Sequence, residues 1–90
     1  MPVVELPSSL RALAGQQARL SLAGATVGLV LESACLTFPA LRAALFTPQG
    51  QLKRTVTLFA GDEDVRQLGG LDAPIAADAV LVLITAIAGG

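Results

Sequence analysis

The apolar positions change spacing several times along the chain, and each change marks an element. Val3-Val4-Glu5-Leu6 is a short β-branched run stopped by Pro7, and Ala18-Arg19-Leu20-Ser21-Leu22 alternates apolar with polar as a half-buried strand does. The two predict an opening hairpin-like pair. Their connection, Ser8 to Gln17, is long for a tight turn and reads as an open loop with Leu10 and Leu13 tucked back onto the sheet. After Gly24 the spacing becomes three and four: Val27, Val30, Leu31, Ala34, Cys35 and Phe38 share one face of a helix that Thr26 caps and Pro39 ends. Ala40 to Phe46 allows another helical turn or two before the turn cluster Thr47-Pro48-Gln49-Gly50. A third strand is expected at Arg54 to Ala60, with Val56 and Leu58 on one face and Thr55, Thr57 and Phe59 on the other. Gly61-Asp62-Glu63-Asp64 turns the chain. Val65 to Ile75 is irregular, with a short strand near Val65, and Val80 to Thr85 forms the last strand.

Two strands, a helix and further strands make an α+β order, and a β-grasp fits it: a mixed sheet of four to five strands with one main helix on one face. The first and last strands are then central, parallel neighbours. The last strand is apolar on both faces, with Leu81 and Leu83 on one and Val80, Val82 and Ile84 on the other, as a strand buried on both sides would be. One helix covers only one face. Leu81 and Leu83 are assigned to the core, and Val80, Val82 and Ile84, with Phe59, to a partner-binding row, unless a loop folds over that face.

Composition narrows the options. Ninety residues form one domain, assigned to 1–85, followed by a flexible C-terminal tail, 86–90. With no Trp or Tyr, the core must come from Val, Leu, Ile and Ala. The six basic residues are scattered along the sequence and the formal net charge is −1, which argues against nucleic acid as a partner. Asp62-Glu63-Asp64 reads as a solvated turn, because a hard cation needs more converging oxygens. The lone Cys35 excludes an internal disulfide and a thiolate-rich metal site, and it suits the cytoplasm. No signal-peptide pattern opens the sequence, and the longest apolar stretch, Ala79 to Ala88, is about half of the ~20 residues that a membrane helix requires.

Chemistry inside the chain is scarce. There is no histidine to serve as a general base, and Cys35 lies on the inferred buried face of the helix, where it acts as a small apolar filler. The remaining unusual feature is Thr85-Ala86-Ile87-Ala88-Gly89-Gly90. Five residues beyond a strand reach roughly 17 Å at most, far enough to enter another protein's active site. Paired glycines carry no Cβ, so a narrow channel can close around the main chain. A free carboxylate is a poor electrophile, but adenylation converts it into a mixed anhydride. A sulfur nucleophile then yields a thiocarboxylate at Gly90, whereas an amine yields an amide conjugate. A frayed, idle tail is the bland alternative.

These features together resemble the MoaD/ThiS family of ubiquitin-like sulfur carriers over nearly the whole chain. The matching residues are Thr26-Val27 opening the helix, Phe38-Pro39 near its end, the turn Gly61 to Arg66, Gly70 to Ile75, and Ala86 to Gly90. The resemblance implies a β-grasp whose Gly90, beside Gly89, is charged by a ubiquitin-activating-type adenylyltransferase. Ala86, Ile87 and Ala88 would lie along the partner's channel. No cofactor or metal would be bound by the carrier, and ATP would be used by the activating partner. The sulfur acceptor would be a molybdopterin synthase large subunit or a cysteine synthase. The segment Ala40 to Lys53 argues against the shorter thiamine-pathway type. Thr85 stands where many relatives have proline, which puts the stiffness of the tail's exit in question. A protein modifier conjugated to lysines through Gly90 is the alternative from another class, and an interaction module with an idle tail is a third.

Overall fold

The computed structural model describes residues 1–85. Five strands, β1 (Val3–Glu5), β2 (Arg19–Ser21), β3 (Val56–Ala60), β4 (Glu63–Asp64) and β5 (Val80–Thr85), form one mixed sheet in the order β2-β1-β5-β3-β4. The helices are α1 (Ser8–Arg11), α2 (Val27–Thr37) and α3 (Ala40–Leu45), with 3₁₀ turns at Ala12–Ala14, Val65–Leu68 and Gly70–Asp72. β5 is central. It runs parallel to β1, with Val4 opposite Leu81, and antiparallel to β3, with Val56 opposite Thr85.

The alternation of β5 places Leu81 and Leu83 on the inner face, where both are buried with Val4, Leu20, Val56 and Leu58. Onto this layer α2 lays Val27, Val30, Leu31, Ala34 and Cys35, the face expected from its spacing, with Phe38 half-buried at its end. Thr26 caps that helix, its Oγ1 accepting from the Leu29 N–H at 3.2 Å. α3 adds Leu41 and Leu45. Each such leucine removed from water contributes on the order of 1.5–3 kcal/mol. The entry to α2 has no spare room: a Cβ on Gly24 would lie 2.6 Å from the Val30 nitrogen, so only glycine lets the incoming chain pass this close to the helix.

Four expectations change. Ser8 to Gln17 is not an open loop. Pro7 is preset at φ −68° just before α1, the Leu10 N–H bonds the Pro7 carbonyl at 3.0 Å, and buried Leu10 anchors the turn. Leu13, expected to tuck in, is exposed; the turn ends at Gly15 and Gln16, both with positive φ. Near Val65 the strand is Glu63–Asp64 instead, because Asp64 Oδ1 accepts from the Arg66 N–H at 2.9 Å and starts a 3₁₀ turn. β3 begins at Val56, since Lys53 to Val56 closes a turn, the Val56 N–H bonding the Lys53 carbonyl at 3.1 Å.

Two outcomes test this packing. Leu83→Ala should lower stability by about 2–5 kcal/mol in chemical denaturation, as expected for a leucine with almost no accessible surface. The Cys35 thiol, buried under α2, should react with Ellman's reagent only as the chain unfolds; rapid labelling of the native protein would contradict its placement.

The root of the C-terminal segment as candidate functional site

Strand direction decides where the C-terminal segment begins. Because β5 is the central strand and its last residue, Thr85, pairs with the first residue of β3, the strand delivers the chain to one end of the sheet from its most constrained position. The carboxyl end of β1 and the start of β2 lie at the same end, Glu5 facing Arg19 across their ladder. α1 follows Pro7 there. Its Ser9 Oγ and the Thr85 Oγ1 are hydrogen-bonded at 3.0 Å. This contact stands where the resembled family often has proline, so the exit is held by a hydroxyl pair in place of a ring.

The outer face of the sheet carries the second apolar row. Val80 and Ile84 are exposed at 38% and 47%, and Val82 and Phe59 are half-buried. The four residues named from the sequence therefore share the face opposite the helices. Among the described residues, no loop folds over Val80 or Ile84. The row opens at the tail end into a groove between the sheet and α1, lined by Pro7, Arg11, Arg19, Val82 and Ile84. Arg19 is ion-paired with Glu5 at 3.2 Å, and the Arg11 Nε donates to the Leu6 carbonyl at 3.1 Å. Ala86, Ile87, Ala88, Gly89 and Gly90 lie outside the described residues.

The remaining reactive side chains are placed for structure. Burial pushes the Cys35 thiol up, away from thiolate, and the nearby Arg42 guanidinium only partly offsets this. Glu32 and Arg42 pair on the surface between α2 and α3. The hydrogen bond from Arg42 holds the Glu32 carboxyl below its usual range. Among the described residues, no three His, Cys, Asp or Glu side chains converge as a metal site would require. No helix of the described chain is long and apolar enough to cross a membrane.

Val80, Val82, Ile84 and Phe59 share the outer face, as the alternation predicts, whereas the sequence did not single out Ser9 and Arg11. Both lie in the segment expected as an open loop, and neither residue type distinguishes a loop from a helical turn packed beside a strand end. The only local signal was Pro7 followed by two serines, a usual way to open a helical turn.

Comparison with known proteins agrees with this architecture. The sulfur carrier protein CysO, in both Mycobacterium bovis and Mycobacterium tuberculosis, is 35% identical over 89 residues, covering 97% of this chain and 96% of the relative. A chain in the crystal structure of the Amycolatopsis orientalis BexX/CysO complex superposes with a TM-score of 0.91 at 30% identity, covering 100% of both chains. SAMP1 from Haloferax volcanii, a small archaeal modifier protein, superposes with a TM-score of 0.80 at 27% identity over 99% of this chain and 98% of its own. The β-grasp expected from the element order is the observed fold. The ThiS family model matches residues 4–90, from β1 through the Gly-Gly segment, and the chain therefore belongs to the ThiS family of ubiquitin-like sulfur carriers.

Proposed function

We propose that this carrier holds its sulfur as a thiocarboxylate on Gly90. The observation that carries the reading is the central position of β5. A strand clamped between β1 and β3, and tied at its last residue to Ser9, presents the following five residues from a fixed root. A rigid root reduces the conformational freedom that must be lost when the segment enters a partner's channel. The chain is a carrier and not a catalyst, so the chemistry belongs to its partners.

In the first step, a Gly90 carboxylate oxygen attacks the α-phosphorus of ATP within a ubiquitin-activating-type adenylyltransferase, and pyrophosphate leaves. In the second, hydrosulfide or its protein-bound equivalent attacks the carbonyl carbon, the bond to AMP breaks, and the thiocarboxylate remains. The anhydride is the activated species because AMP is a far better leaving group than oxide. A sulfur-accepting enzyme, either a molybdopterin synthase large subunit or a cysteine synthase, then takes the sulfur. The BexX/CysO complex supports the general arrangement, since a chain with this fold occurs there in a complex with another protein. ATP is consumed by the activating partner, and the carrier needs no resident cofactor.

A second reading has a specific observation behind it. SAMP1 is named as a modifier, and the same Gly90 adenylate attacked by a lysine amine would give a conjugate. The two fates share their first step and diverge in the nucleophile.

Intact-mass analysis of the chain purified from its native cells should show an oxygen-to-sulfur exchange localised to Gly90; Gly-Gly remnants on target lysines, without that exchange, would favour conjugation. Gly90→Ala should lower charging by about 100-fold or more, since a displacement of about an ångström in a reacting group costs that much. An added C-terminal residue should abolish charging. Thermal melts of both variants should overlay that of the wild type. Joint loss of charging and of folding would break the division between body and tail.

A further inference from the structure

The cations that look scattered in the sequence are gathered by the topology. Arg19 starts β2 opposite Glu5, level with Val82 and three residues short of the end of β5. Arg11 lines the groove beside Val82 and Ile84. Lys53 and Arg54 immediately precede Val56, the partner of Thr85. Arg66, only two residues after Asp64, is carried back to this end: its guanidinium donates to the Lys53 carbonyl at 3.0 Å and to the Val56 carbonyl at 2.6 Å. Carbonyls hold the group in place without neutralising its charge. Arg11, Lys53, Arg54 and Arg66 thus lie on elements at the end of the sheet where β5 finishes, while Arg19, ion-paired with Glu5, sits farther back, level with Val82. The sixth cation, Arg42, is paired with Glu32.

Most of the carboxylates are gathered at the other end. Asp62 and Glu63 form the turn beyond Ala60, which pairs with Leu81 near the start of β5; Asp64, opposite Phe59, is level with Val82, Glu5 and Arg19 in mid-sheet. Asp78 precedes Ala79, whose carbonyl accepts from the Val3 N–H at the start of β1. Asp72 precedes Ala73, whose carbonyl accepts from the Val27 N–H at the start of α2. The charges of a chain of formal net charge −1 are therefore polarised along its strands, with Asp64 and the Glu5–Arg19 pair between the poles. The five residues of β3 alone separate the poles by about 13 Å. That exceeds the ~8 Å screening length of physiological salt, so a partner meeting either pole senses mainly that pole's charge.

We propose that Arg11, Lys53, Arg54 and Arg66 form a basic collar that docks against an acidic rim around the channel receiving residues 86–90, and that the partner bearing this rim is the adenylyltransferase. The inference rests on the carrier reading. The collar lies at the end of the sheet that precedes the segment the partner must take in, so charge complementarity and tail insertion favour the same orientation. The acidic pole is repelled by the same rim, which discriminates against approach from the wrong end. Fields of this kind raise productive encounter by tens- to hundreds-fold in low salt and act on association more than on the bound chemistry.

The test is ATP-dependent charging by the purified adenylyltransferase that copurifies with the chain. Arg11→Gln/Arg54→Gln should lower kcat/KM by about tenfold at low ionic strength with kcat unchanged, and should flatten its fall with added NaCl. Arg54→Glu, at an exposed turn residue outside the core, should act in the same direction while melting as the wild type does. Asp62→Asn/Glu63→Gln, at the far pole, should stay within about twofold of wild type. Collar variants charged with wild-type KM and salt dependence would overturn the proposal, as would normal charging combined with lost binding to a uridine oligonucleotide, which would assign the collar to nucleic acid. A wild-type chain that is not charged at all would instead defeat the carrier reading, and the collar's assignment with it.

Discussion

The structure depends on one strand being paired on both sides. β5 bonds to β1 in parallel and to β3 in antiparallel register, while its inner leucines, Leu81 and Leu83, sit under α2 and α3. A central strand has both rows of backbone groups satisfied within the sheet, so it resists local opening far better than an edge strand does. The part of the chain that precedes the functional segment is thus among the most constrained parts of the molecule.

This constraint explains how a protein with so little side-chain chemistry can serve a reaction. Its one thiol is buried among aliphatic side chains, with its proton affinity raised by desolvation, and it has no histidine. What the fold supplies is a direction and a frame. The β5 ladder fixes the strand as far as Thr85, the Ser9 to Thr85 hydrogen bond ties that residue to α1, and the outer row of Val80, Val82 and Ile84 lies on the opposite side from the helices.

On the proposed chemistry, sulfur carriage and protein modification begin from the same activated carboxylate. Relatives named as a sulfur carrier and as a modifier share the fold at comparable superposition. In the proposed scheme the nucleophile offered by the partner decides the product, and the apolar outer row and the charge near the end of β5 are the surface features assigned to partner choice.

Much of this was legible along the chain. Spacing alone located α2 and its buried face, because a 3.6-residue period with a threonine cap and a terminating proline has few other solutions, and the double apolar alternation of Val80 to Ile84 marked the central strand. The Gly-Gly segment is a covalent feature and needed no fold to be noticed. Tertiary structure decided what depends on distant segments meeting. Ser8 to Arg11 became helical because Leu10 found a place in the core, and Ser9 became a partner of Thr85 because β1 and β5 run parallel to the same end of the sheet. The collar is the clearest case. Charges 55 residues apart, from Arg11 to Arg66, converge only because antiparallel pairing reverses the chain, and no local pattern of residues encodes that convergence.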